Sequence, residues 1–117
     1  MIYLDDNTKR DIEKAIKEIT KNKLLDGFKN RNYQTVASIE DMIIEYSLNE
    51  EKSNRNILMV EPVIINTRVF VNLRDNLGQA TNWLTLRINS IEFSYNDNSN
   101  NFVVSANQEI GIIDMTI

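Results

Sequence analysis

The chain has 117 residues, 42% hydrophobic and 26% charged, with 13 Lys+Arg against 17 Asp+Glu for a net charge of −4. That is one domain's worth of chain, apolar enough to bury a real core and to exclude wholesale disorder. Histidine and cysteine are both absent, which removes disulfide frameworks, thiolate nucleophiles, Cys/His zinc sites, Ser-His-Asp triads and histidine pH switches.

The opening MIYLDDNTKR carries acids where a signal peptide needs a basic segment followed by an apolar run. A helix is predicted next. Asp5, Asp6 and Thr8 supply capping oxygens and negative charge, and Ile12, Ala15, Ile16 and Ile19 recur at three- and four-residue spacing. Asp26-Gly27 reads as its stop, with Leu24, Leu25 and Phe28 folding back on the core. Over 35–47 two periods compete. Val36, Ile39, Ile43 and Tyr46 fit a helix with Ser38 and Asp41 resembling a cap, whereas Met42, Ile44, Tyr46 and Leu48 alternate as in a strand. The helix is the preferred expectation.

From residue 56 the period is two. Ile57 to Asn66 is an apolar run whose Pro62 marks an edge strand or a bulge. Val69, Val71 and Leu73 then alternate with Arg68, Phe70 and Asn72, and Asp75-Asn76-Leu77-Gly78 reads as a turn. Leu84, Leu86 and Ile88 are followed by Ile91, Phe93 and Tyr95, with a one-residue slip at Asn89-Ser90 that predicts a bulge or bend. Asn96 to Asn100 is a turn into a return strand from Phe102, and Ile110 to Ile117 is the last strand-like segment. The expectation is a single α+β domain over 1–117, helical to about residue 50 and strands from about 56. One or two N-terminal helices would pack on an antiparallel sheet of about five strands.

Charge is unevenly distributed. Arg10, Lys14, Lys17 and Lys21 form one helical stripe, while Glu40, Asp41, Glu45, Glu50 and Glu51 follow with nothing basic among them. The basic stripe could contact a phosphate backbone. A solvated face is preferred, because the overall pI is 4.8 and no aromatic residue interleaves the stripe. Asp97, Ser99 and Asn101 match the first positions of an EF-hand-like loop, but Phe102 and Gln108 stand where Gly and Glu are required. A hairpin turn is the better reading. No glycine-rich phosphate loop, acid–base pair or carboxylate metal spacing is found, so neither enzymatic activity, metal nor cofactor is expected.

Surface for partners remains. Trp83 and Tyr95 are large amphipathic rings of the type that anchor interfaces, and Ile113, Met115 and Ile117 lie on an apolar terminal segment. Together with residues 57–66 that segment reads as an apolar sheet edge needing cover. The 17 Asn, 16 Ile and numerous Lys are encoded by A/T-rich codons, common in low-GC bacteria and their viruses. The leading expectation is a non-catalytic structural or assembly protein of a multi-subunit particle, specifically a tailed-bacteriophage virion component from neck, tail or baseplate. Its partners would be other protein subunits, in a homo- or hetero-oligomer, rather than nucleic acid or membrane, and its location the host cytoplasm and the virion. The alternative is a small acidic inhibitor or immunity-type protein using the five acids to occlude a basic surface.

Overall fold

The computed structural model describes residues 2–29, 35–73 and 78–116. Helix α1 spans Asp6–Lys29. Asp5 caps it: its Oδ1 accepts from the Thr8 N–H at 2.7 Å and its carbonyl from the Lys9 N–H at 3.0 Å. The Thr8 hydrogen bonds hold the Asp5 carboxyl below the usual carboxylate range. Ile12 and Ile16 are fully buried, flanked by Ala15, Ile19 and Leu24. Thr20 is buried on the same stripe and donates its hydroxyl to the Ile16 carbonyl at 2.7 Å. The helix passes through the expected Asp26-Gly27 stop to Lys29. One glycine near a helix end costs only ~1 kcal/mol. The side chain of Phe28 lies outside the described residues.

Six antiparallel strands follow: β1 (Thr35–Leu48), β2 (Ile57–Asn72), β3 (Gln79–Ile88), β4 (Ile91–Asn96), β5 (Asn101–Val104) and β6 (Ile112–Asp114). The central strand is β2. Along one side β1 pairs with it from Thr35 opposite Asn72 to Leu48 opposite Val60. Along the other, β3 pairs with Val63–Asn72 and β4 with Ile57–Val60. Outside these lie β5, paired to β4, and β6, paired to β3. The sheet is therefore four strands wide, its third and fourth lines each interrupted once. The α+β arrangement matches the expectation, with six strands in place of about five.

Residues 35–48 form a strand, which corrects the helix preferred from sequence. The alternating residues Met42, Ile44, Tyr46 and Leu48 pack on the core, whereas Ile43, inward on the helical alternative, is 58% exposed. The 16-residue β2 supplies a ladder partner along the whole segment, and burial against it overrides local helix propensity. Ser38 caps no helix; its hydroxyl donates to Glu40 Oε2. Asp41, at φ 54°, is the extra residue of a β1 bulge, a left-handed conformation that Asp tolerates. The buried Thr67 hydroxyl donates to the Glu40 carbonyl at 3.0 Å and so satisfies a group released by that bulge.

Pro62 sits at a bulge, as one of its two readings anticipated, but β2 is the central strand and not an edge. Register advances from Tyr46–Val63 to Leu48–Val60, and the buried set shifts from Leu58 and Val60 to Val63 and Ile65. The predicted slip at Asn89-Ser90 lies directly alongside, between the Val63–Ile88 and Val60–Ile91 pairs. A single crease thus crosses the sheet. Glu61 is held beside it by Asn49 Nδ2 at 2.6 Å and by Lys52 at 3.5 Å. Between β5 and β6, Gln108 replaces missing ladder bonds: its Oε1 accepts from the Glu92 N–H at 3.0 Å and its Nε2 donates to the Glu92 carbonyl at 2.8 Å. The residue at the last position of the EF-hand-like spacing is therefore a side-chain strand mimic. Asn98 N–H to Asn96 Oδ1 and Asn100 at φ 53° build the expected hairpin turn. The turn read at Asp75-Asn76-Leu77 lies outside the described residues. Gly78, at φ 99°, accepts from the Leu73 N–H at 2.9 Å. Among the described residues of the terminal apolar segment, only Ile112–Asp114 is strand.

Candidate interaction surface

Period-two alternation divides the sheet into two faces. One packs Leu58, Val60, Val63, Ile65, Leu86, Ile88, Ile91 and Phe93 against Ile12 and Ile16 of α1. The residues between them point the other way, to a face that no described element covers. Cross-strand register arranges that face in rows. Glu40, Arg68 and Trp83 make one row across β1, β2 and β3. Ile43, Asn66 and Thr85 make the next, and Glu45, Ile64, Arg87 and Ile113 the one after, reaching β6. Met115 extends the second row, its N–H donating to the Thr85 carbonyl at 2.8 Å.

The exposed apolar side chains concentrate here: Ile43 at 58%, Trp83 at 53%, Ile113 at 47% and Met115 at 46%. Arg68 organises the centre. Its guanidinium carbon lies 4.7 Å from the Trp83 ring centroid and 5.5 Å from that of Phe70, while Nη2 is 3.4 Å from Asp41 Oδ2. Stacking on two rings shields Arg68 Nε, which has no hydrogen-bond partner among the described residues. The pair immobilises Trp83 in advance of any contact, lowering the ordering cost that a free ring would bring to an interface. Beside it, Thr85 Oγ1 donates to Asn66 Oδ1 at 2.8 Å, so these two polar groups between the apolar ones are already engaged.

The sequence-derived candidates fall at several places. Trp83, Ile113 and Met115 share the uncovered face; Ile117 lies outside the described residues. Tyr95 is elsewhere, stacked edge-on against Phe102 at 5.3 Å beside a cleft of about 780 Å³. That cleft is also lined by Tyr3, Asp5, Asp11 and Glu50, of which Asp5 caps α1 and Glu50 accepts from the Ile2 N–H. The five acids do not form one patch: Glu40, Asp41 and Glu45 lie along β1, whereas Glu50 and Glu51 lie on the short helical turn beyond it. Arg10, Lys14, Lys17 and Lys21 do share one exposed face of α1, with Glu13 and Glu18 among them. Sequence reasoning missed Ile43, Arg68 and Ile64 as members of the surface. Their signal was the odd-numbered alternation of β1 beyond its Asp41 bulge and the even-numbered one in the second half of β2, readable once the strand assignment of β1 is made.

Among the described residues no group of three or more acids is gathered to hold a metal ion, and no helix is long and apolar enough to cross a membrane. Comparison of the chain with protein-family models, with curated proteins and with solved structures finds no match.

Proposed function

We propose that this chain is a non-catalytic assembly subunit that docks onto other protein subunits through the uncovered face of its sheet. The observation that carries the reading is the concentration of Trp83, Ile43, Ile113 and Met115, each at least 46% exposed, on one side of one sheet. Antiparallel sheets often leave one face to water, but such faces are ordinarily polar. Clustered large apolar side chains with engaged polar groups between them are the composition of a docking surface. Docking by face also fits the edges. The outer edge of β1 is interrupted by three register shifts, and bulged edges resist strand addition. A multi-subunit particle, and a tailed-bacteriophage virion in particular, is the setting proposed on the Asn-, Ile- and Lys-rich composition.

Native mass spectrometry tests the reading, on the chain alone and co-expressed with the proteins encoded beside it. The expected result is a complex that is present for the wild type and for a Lys14→Glu, Lys17→Glu variant but lost in Trp83→Ser and Ile43→Asp. Absence of any complex that depends on Trp83 and Ile43 overturns it. The occluding-inhibitor alternative rests on the acids. It predicts instead that Glu40, Asp41 and Glu45 carry binding and that Trp83→Ser leaves it unchanged.

A further inference from the structure

One edge of the sheet carries none of the features that discourage strand pairing. We propose that it takes an extended segment of a partner protein, hydrogen-bonded to β3 over Gln79–Leu84 in line with β6. The proposal goes beyond the docking reading above, since it concerns a backbone edge of the sheet and not its uncovered face. Two observations carry it: where the β3 backbone groups point, and how this edge differs from the others.

Hydrogen bonds at both sides of β3 fix the direction of its backbone groups. The Leu73 N–H donates to the Gly78 carbonyl at 2.9 Å, so with the regular register that follows, the even-numbered residues of β3 bond to β2. The odd-numbered ones turn outward. Thr85 shows this directly: its carbonyl accepts from the Met115 N–H at 2.8 Å, and its N–H donates to Thr116 Oγ1 at 3.0 Å. Pairing with β6 runs over Leu86, Arg87 and Ile88. Beyond Thr85 the outward N–H and carbonyl groups of Gln79, Thr81 and Trp83 have no partner among the described residues. The Trp83 ring leaves them open, because it stacks at 4.7 Å on the Arg68 guanidinium, which Asp41 draws toward β1. A further strand would prolong the line that β6 begins.

The other edges are guarded. β1 carries three register shifts and Glu40, Asp41 and Glu45, while β5 has only four residues and β6 three. Gln79–Leu84, by contrast, is six residues in unbroken register without charge or proline, ~20 Å at ~3.3 Å per residue. Its flanks specify the occupant. Directly opposite residues share a face, so every second side chain of an added strand lies beside Ala80, Asn82 and Leu84. Ala80 and Leu84 pack with Leu24 of α1 on the buried Val69 and Val71, and that side takes apolar residues. The alternate ones lie beside the exposed Thr81 and Trp83. The segment is therefore extended and apolar at every second residue, and main-chain hydrogen bonds hold it. A second copy of β3 fits less well. Antiparallel pairing centred on Thr81 sets Asn82 beside Ala80 and Gly78 beside Leu84, where apolar side chains belong. Centred on Asn82, it brings Gln79 against Thr85, where Thr116 already stands.

The test uses the full chain, with an end-blocked heptapeptide of alternating threonine and valine as the probe. Amide hydrogen exchange is read by NMR with and without peptide. Peptide titrations are run on wild type, Thr81→Pro, Gln79→Pro and Ile43→Asp, with circular dichroism confirming that each is folded. Each proline removes one outward N–H and leaves the β2 ladder its donors. The expected result is saturable binding with exchange at Thr81 and Trp83 slowed at least about tenfold, while Asn82 and Thr85, already bonded, are unchanged. Either proline weakens binding about tenfold or more, and Ile43→Asp, two strands away, leaves it unaltered. No binding at millimolar peptide, binding without protection of Thr81 and Trp83, or binding that survives both prolines overturns the proposal. So does protection of those amides that rises with chain concentration in the absence of peptide, which makes a second copy the occupant. Loss of binding in Ile43→Asp moves the peptide onto the uncovered face and overturns it as well. The face-docking complex is read separately through Trp83 and Ile43, so either conclusion can fail while the other stands.

Discussion

The two faces of this sheet are built from alternate residues of the same strands, yet they are different materials. Toward α1 the side chains are continuous hydrocarbon: Val63, Ile65, Val69 and Val71 of β2 are all fully buried, and the one polar member, Thr67, is bonded to the Glu40 carbonyl. Away from α1 the intervening residues Ile64, Asn66, Arg68 and Phe70 set two polar residues between two apolar ones, and the polar ones are held by Thr85 Oγ1 or Asp41. The lesson is that a core and an uncovered face, proposed above to dock, are distinguishable within one strand. A core tolerates no unpaired polar group because water never returns to it. A docking surface has to be stable wet before it is covered, so it keeps engaged polar groups beside its apolar anchors.

That contrast can be broken most forcefully at its dry side. Ile16→Ala is expected to cost ~2–5 kcal/mol in urea unfolding, through lost burial and the cavity left under the sheet. Trp83→Ser on the wet side is expected to change monomer stability by less than ~1 kcal/mol, the scale of an exposed cation–π contact. Comparable losses at the two sites would dissolve the distinction.

At the crease, where both faces depend on irregular pairing, Gln108→Ala leaves the Glu92 N–H without its partner, while the Glu92 carbonyl keeps the Ser105 N–H at 2.9 Å. It is expected to cost ~1–3 kcal/mol in the same measurement. An effect near zero would mean that the side-chain bridge between β5 and β6 is dispensable.

The bulge at Asp41 gives a finer test. Asp41→Ala and Asp41→Gly both lose the ion pair to Arg68, so the difference between them isolates the backbone. With φ at 54°, the alanine variant should be less stable than the glycine variant by ~1 kcal/mol. Equal stability would show that the left-handed conformation carries no cost there.

The smallest effect belongs to Tyr46, on the covered face. Burial first, and the nearby Glu13 charge second, raise its phenol pKa. Because the folded-state value lies above the unfolded one, its contribution to stability is complete below the ordinary phenol range and is lost as pH rises through ~10 and beyond. Tyr46→Phe should therefore flatten the alkaline fall in stability measured by thermal melts between neutral pH and pH 11. A variant that falls as steeply as wild type would place the alkaline transition elsewhere.

Much of this architecture follows from sequence alone. Ile12, Ala15, Ile16 and Ile19 define the buried helix stripe, and the slip at Asn89-Ser90 locates the crease, because three- to four-residue and two-residue periods reflect local backbone geometry that needs no partner. Trp83, Ile113 and Met115, singled out by residue type as candidate contact residues, are exposed on the uncovered face. The strand at 35–48 was not, since its sequence satisfies both periods and only the long ladder offered by β2 decides between them. The same holds for Pro62, whose place in the central strand depends on which strands flank it, and for Gln108, whose role exists only because β5 and β6 leave a gap beside Glu92. Grouping Ile43, Arg68, Phe70, Trp83 and Met115 on one uncovered face is likewise a tertiary fact. Sequence set the alternation within each strand, whereas register, which fixes what lies beside what, was decided by where the helix came to rest and which face it kept dry.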